Sequence, residues 1–319
     1  MKTIHARSAL VLSAVLMACS SGSGGPGGSS VTAAQAASDA ASAFCARAQA
    51  CAPAYVQLEW GDVATCSTRS GAQLTDTLAS AGTSDTPSQV EACAQSLPTI
   101  SCADLLGHSI PAPCRAVPGT LANGAACGDD SQCSGGHCKV AENQICGVCT
   151  TFAASGAACT LDADCDYGLQ CFGGTCIAPV ASGGTCDAMH PCMPTLACVG
   201  GTCGPPGAAG AACTPNATDT CDNLHGVFCD NATSKCLTAT FAKAGAACGY
   251  VPGTLTLCLQ GPGPAAAECK GLSSTSAMGV CQAPAADGAS CNATTGPLCL
   301  SPSVCVNGAC RLDDPSSCH

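Results

Sequence analysis

The chain is short of nearly everything a large packed core needs. Only 3% of its 319 residues are aromatic, with a single tryptophan. Val, Ile, Leu and Phe together supply 48 residues, 15% of the chain, below the level at which a chain normally builds a core. The 47% hydrophobic content misleads, because Ala and Cys make up 92 of those 149 residues. This shortage argues against one large enzyme domain and against a deep apolar substrate pocket. Charge is also scarce. Ten basic residues face 21 acidic ones, a formal net charge of −11, and that balance repels nucleic acid and anionic membrane faces. No apolar run is long enough to span a bilayer as a helix; Ser8 to Met17 offers ten residues.

What is abundant is cysteine, 33 residues or about a tenth of the chain, the range of a disulfide scaffold. The first residues fix the compartment. Lys2, His5 and Arg7 form a basic region before the short apolar stretch, and Leu16-Met17-Ala18-Cys19 follows. Leu16 is too large for the −3 position of an ordinary signal-peptidase site. The segment resembles a bacterial lipoprotein signal, with Met17 in place of the usual small residue at −2. That resemblance implies that residues 1–18 are removed and that Cys19 carries lipid. The odd cysteine count agrees: with Cys19 set aside, 32 remain, enough for 16 bridges. By the same resemblance Ser20, which is not the aspartate of inner-membrane retention, implies export to the bacterial outer membrane or cell surface, held to the membrane through the N-terminal lipid. Residues 19–30 read as a Gly/Ser tether. Gly22-x-Gly24-x-x-Gly27 within it has the letters of a dinucleotide fingerprint without the strand and βαβ unit that would give it meaning.

Residues 31–118 read as a helical, cysteine-containing domain. The Ala-rich stretch 31–51 favours helix, with Ala41, Phe44, Cys45, Ala48 and Cys51 on one apolar face. Thr86-Pro87-Ser88-Gln89 is a capping box with proline at the first helical position. Ser101-x-x-Asp104 starts another helix, with Gly107 as its expected left-handed stop. Trp60 is expected as a core anchor. The six cysteines, Cys45, Cys51, Cys66, Cys93, Cys102 and Cys114, are an even number that lets the region close on itself.

Beyond residue 118 the chain repeats. Gly-Ala-Ala-Cys occurs at Cys127, Cys159, Cys213 and Cys248, with variants at Cys186 and Cys291. The clearest unit is Cys159-x5-Cys165-x5-Cys171-x4-Cys176, and Cys186, Cys192, Cys198 and Cys203 repeat its spacing. The units beginning at Cys213, Cys248 and Cys291 also hold four cysteines each. The first holds five: Cys127, Cys133, Cys138, Cys146 and Cys149. Units end in hairpin signals, Gly173-Gly174, Gly200-Gly201 and Asn307-Gly308. Four cysteines allow three pairings. A hairpin sets the third and fourth opposite each other, facing back toward the first two. The expected bridges are therefore Cys159–Cys171, Cys165–Cys176, Cys186–Cys198 and Cys192–Cys203. With Cys146 counted as the fourth cysteine of the first unit, Cys149 and Cys318 are left over. A rod of stacked units holds these two apart, so Cys149 is expected to pair locally and Cys318 to close onto the last unit.

Cys127-Gly-Asp-Asp-Ser-Gln-Cys133, Cys138 and Cys146-x2-Cys149 resemble the N-terminal cysteine-rich domain of the Dickkopf family, by cysteine spacing and acidic loop over roughly residues 119–318. With the lipobox and helical head, the chain is similar to bacterial exported lipoproteins carrying that domain. The resemblance implies a bridge-held extracellular binding module and does not bring Wnt antagonism with it. Residues 119–150 are then a Dickkopf-like unit and 151–319 five further units. The expected fold class is small disulfide-rich repeats of short β-hairpins and loops after an N-terminal α-helical disulfide-bonded domain.

No motif for chemistry stands out. Cys146-x2-Cys149 lacks the βαβ surroundings of a redox pair, and sets of four cysteines in an exported chain read as bridges before zinc sites. Asp162-x-Asp164-x-Asp166 opens like a calcium loop, but Tyr167 and Gly173 stand where Gly and Glu are needed, so a solvated acidic turn is expected. His108, His137, His190, His225 and His319 are scattered. The Asn-Ala-Thr sequons at Asn216, Asn231 and Asn292 read as loop sequence. No catalytic residue, cofactor or metal is assigned. The expected function is a lipid-anchored, disulfide-rigidified surface binding or structural module, not an enzyme, whose partner is a protein or glycan at the cell surface. The alternative is a protease inhibitor, or an enzyme with a site assembled across repeats.

Overall fold

A computed structural model describes residues 31–141, 143–215, 220–260, 268–272 and 276–318. Cys19, the signal segment and the tether lie outside the described residues. The head is built from five helices. α1 (Ala33–Cys51) starts at Thr32, whose side chain accepts the Gln35 N–H, and buries Ala36, Ala37, Ala40, Ala41, Phe44, Cys45, Ala48 and Cys51. α2 (Pro53–Glu59) has proline at its first turn, and α3 (Val63–Ala79) is capped by Asp62. α4 (Pro87–Ser96) begins with both halves of the Thr86/Gln89 capping box. α5 (Cys102–Leu106) begins at Ser101. Its end differs from expectation. Gly107 has φ −95°, and His108 takes the left-handed conformation at φ 58°. The Ser109 N–H reaches back to the Asp104 carbonyl at 3.0 Å, so the stop is one residue later than a glycine search places it.

The small residues of α1 leave room for α3 and α4 to pack against it. Phe44, Val56, Trp60, Val90, Leu97 and Ile110 fill the centre. Trp60 is buried and meets Phe44 and Tyr55 edge-on, with ring centroids 6.3 and 5.5 Å away. Cys45–Cys66 ties α1 to α3, Cys51–Cys102 ties α1 to α5, and Cys93–Cys114 ties α4 to the following 3₁₀ turn.

The six units share one plan. In each, the glycine of the Gly-Ala-Ala-Cys phrase or its variant has positive φ, and its N–H donates to the carbonyl of the unit's last cysteine at 2.8 Å. Those pairs are Gly124 with Cys149, Gly156 with Cys176, Gly183 with Cys203, Gly210 with Cys236, Gly245 with Cys281, and Gly288 with Cys310. The third and last cysteines face each other across an antiparallel pair, as in Cys171↔Cys176 and Cys198↔Cys203. Cys159 bonds Cys171, Cys165 bonds Cys176, Cys186 bonds Cys198 and Cys192 bonds Cys203. Units four to six likewise join first to third and second to fourth. The fifth unit is larger, with its strands in a five-stranded sheet.

Unit one corrects two expectations. Its fourth structural cysteine is Cys149, which faces Cys138 and bonds Cys133. Cys146 is the supernumerary one, and it bonds Cys318 across 172 residues. The units therefore do not form a rod. Each one touches the head, and the string curves around it. Ser84 and Ala81 of the head bond Ser131 and Gln132 of unit one. The His108 carbonyl accepts the Gly168 N–H of unit two, and a Cβ on Gly107 would lie 3.6 Å from Pro194 Cδ of unit three. α2 packs on the 3₁₀ turn Asn223–His225 of unit four. Gln260 of unit five bonds the Gln57 and Trp60 carbonyls. Arg69 reaches Asp287, Leu300, Ser301 and Ser303 of unit six. The chain is a belt of bridged units around a helical hub, and the bent path brings Cys146 and Cys318 within 5.4 Å Cα to Cα. Its 16 bridges make it a disulfide-rigidified module of the extracellular type. Among the described residues no helix is long and apolar enough to cross a membrane.

Candidate functional site

A shared loop in units one and two builds the most polar interior of the belt. In unit one the 3₁₀ turn Asp130–Gln132 precedes Cys133; in unit two Asp162–Asp164 precedes Cys165. Asp130 Oδ1 accepts the Cys138 N–H at 2.5 Å, and Asp162 Oδ1 accepts the Cys171 N–H at 2.7 Å. Gln132 Oε1 accepts the N–H groups of Gly128 and Asp129, and Asp164 Oδ2 accepts those of Thr160 and Leu161. These side chains satisfy backbone donors of the loops between bridged cysteines. The expected solvated acidic turn holds for Asp162 and Asp166, which are exposed, and is corrected at Asp164, which is buried; the three serve separate backbone groups.

Where the two units meet, His137 and Asp164 line one cleft of about 180 Å³, with Lys139, Thr150, Thr151, Ala153 and Ala158 around it. The His137 side chain is 4% exposed and that of Asp164 5%. His137 Nδ1 lies 3.1 Å from Asp130 Oδ1. A carboxylate only accepts, so in the neutral ring the Nδ1 proton points at Asp130 and Nε2 carries the lone pair. Nε2 has no hydrogen-bond partner among the described residues and lies 3.6 Å from Asp164 Oδ1. Lys139 Nζ is 3.3 Å from the other oxygen, Oδ2. Burial pushes the Asp164 carboxyl up, but hydrogen bonds from Thr160, Leu161 and Lys139 outweigh it and hold it at about 2. The imidazole stacks on Phe152 at 4.7 Å, Phe152 meets Tyr167 at 5.2 Å, and Tyr167 meets His108 at 5.3 Å. Arg115 sits over the Tyr167 ring at 4.8 Å. Burial drives His108 below the usual imidazole range, against the pull of Asp130, Asp162 and Asp166.

The other sequence candidates fall elsewhere. His190 and His225 lie at exposed turns, each with Nδ1 2.8 Å from the aspartate three residues before it. Cys146 and Cys149 belong to different bridges, and the tight sulfur clusters, such as Cys127, Cys133 and Cys138, consist of bridged cysteines. Asn231 and Asn292 are exposed, while Asn216 and His319 lie outside the described residues. Sequence reasoning missed the His137 cleft because its histidine and carboxylate belong to different units. The available signal was Cys-x-x-Asp-x-(Gln or Asp)-Cys, present in both.

A second surface feature lies on unit five. Ala247 pairs with Val280, Gly249 with Met278, and Val251 with Thr254. Paired and alternate residues share a face, so Val251, Met278 and Val280 stand on one side of the sheet, 40%, 39% and 49% exposed. Among the described residues the other large exposed apolar side chains, Val148, Met189 and Val199, also belong to the belt and not to the head. None of the chain's nine aromatic residues is exposed. Compared with protein families, with curated proteins and with solved structures, the chain matches none.

Proposed function

We propose that the chain is a non-enzymatic binding module, exported and tethered to the outer membrane through lipid on Cys19, that presents bridge-rigid surfaces to a protein partner. The observation that carries this reading is the exposed Val251, Met278 and Val280 face of unit five, set in a belt tied to a hub. Exposed apolar groups gathered on one face mark interaction sites, and a surface already fixed by bridges loses little entropy on docking. Methyl and thioether groups suit a protein surface, and the chain exposes no aromatic ring on which a sugar could stack. The Dickkopf-like spacing of unit one and the lipobox support the same class.

Binding of the purified mature chain to intact cells of the source organism, followed by cross-linking, tests this reading. Met278→Lys combined with Val280→Lys is expected to abolish cross-linking to a surface protein, and Cys19→Ser to leave the chain unprocessed or released. Undiminished cross-linking by the lysine variant removes the unit-five face from the proposal, and unmodified Cys19 in mass spectra of the mature protein removes the anchor.

A further inference from the structure

We infer that His137 and Asp164 form an open binding site for a divalent first-row transition ion of the Zn²⁺ class, built across the joint between units one and two. Two lone-pair donors of different chemistry, an imidazole nitrogen and a carboxylate oxygen, stand 3.6 Å apart on residues that line one cleft. Ligand atoms about 2.0–2.2 Å from a tetrahedral ion are about 3.3–3.6 Å from each other, so one ion fits both without moving either. An ammonium nitrogen would need about 2.8–2.9 Å to each acceptor, which closes the angle between them well below tetrahedral. Nε2 is buried and lacks a hydrogen-bond partner among the described residues, a cost that an ion would relieve. Asp130 at Nδ1 supplies the outer carboxylate that metal-binding histidines commonly use to fix tautomer and ring direction. Phe152 stacks on the ring and holds its plane. An imidazole and carboxylate set favours borderline ions such as Zn²⁺, Ni²⁺ and Cu²⁺ over Ca²⁺ or Mg²⁺. The cleft has room for several waters at the remaining positions, so the site is open. Lys139, on the far oxygen of Asp164, opposes the ion and tunes its affinity downward.

The test is titration of the oxidised full-length mature chain, checked to hold no free thiol, with Zn²⁺ by calorimetry and with Co²⁺ by visible absorption. One ion per chain is expected, with nitrogen–oxygen ligand-field bands and no thiolate charge transfer. His137→Ala and Asp164→Asn should each weaken binding at least tenfold, and Asp130→Asn about 10–100-fold. His190→Ala and His225→Ala should leave it unchanged. Lys139→Met should tighten binding several-fold, a gain that misfolding cannot produce. Absence of binding, loss of binding on changing His190 or His225, or unchanged or weakened binding in Lys139→Met overturns the inference.

Discussion

Glu59, at the end of α2, shows how single side chains set the behaviour of the joints. Its carboxylate accepts the Ser301 hydroxyl of unit six at 2.9 Å. Burial pushes it up to about 7 from an ordinary 4.5, and the Ser301 bond only partly offsets this. The folded protein therefore prefers the neutral acid. That contribution is fully present below about pH 4.5 and is lost as the pH rises to about 7. Asp85, raised to about 7, and Asp129, raised to about 6, both mainly by burial, act in the same direction at the joint with unit one. Asp164 acts oppositely, its stabilisation falling away only below its ordinary value of 3.8, toward about 2. Thermal stability is thus expected to peak in mildly acidic solution and fall toward neutrality. Glu59→Gln should stabilise by about 1–2 kcal/mol at pH 8 and change little at pH 4. Thermal unfolding of both proteins across pH checks this, and an equal effect at the two pH values would contradict it.

At the scale of the element, the turn glycines and the cysteine facing determine each unit. Gly156 has φ +84° and open space around its Cβ position, while a Cβ on Gly119 would lie 2.1 Å from the Gln132 carbonyl carbon. Gly156→Ala is expected to cost about 1–2 kcal/mol from backbone strain alone. Gly119→Ala should cost more, because it forces the first residues of unit one off the backbone of the Ser131–Gln132 turn. Urea unfolding of the two variants ranks them, and the reverse order would show that the strand-to-loop approach at Gly119 is soft. Much of this level was legible in the sequence. Gly173-Gly174 and Asn307-Gly308 announce turns with two positive φ values, as found, and facing cysteines across a short hairpin leave few ways to bridge back. Unit one was misread because its hairpin loop is long. Spacing alone favours Cys146, whereas the backbone bond from Gly124 to Cys149 and the strand register place Cys149 in the last position.

At the scale of the whole molecule, closure by Cys146–Cys318 is the defining feature. In the chain-entropy view a bridge across so long a loop stabilises by about 5 kcal/mol. The double variant Cys146→Ser, Cys318→Ser should keep the other 15 bridges, lower the melting temperature and loosen the contact of unit six with unit one. Full reduction should unfold the belt, because its clusters are mostly cysteine sulfur with few large apolar side chains. Non-reducing peptide mapping, small-angle scattering and protease resistance separate the two states. A double variant as stable and compact as the parent would show that the hub contacts alone close the ring.

The sequence by itself determined the modules. Cysteine spacing, the Gly-Ala-Ala-Cys phrase, the Ala-rich helix and the Thr86 capping box act over a few residues, and each carries its own physical cause. It also determined that bridges and not a large core hold the chain, since the large apolar side chains are too few. Only the tertiary structure decided the circular path of the units, the partner of Cys318 and the meeting of His137 with Asp164. Those outcomes depend on how every unit leans on the helical hub. Arg69 finding Asp287 or Gln260 finding the Trp60 carbonyl is a contact between residues some 200 positions apart, and no local pattern encodes which surfaces such residues will face.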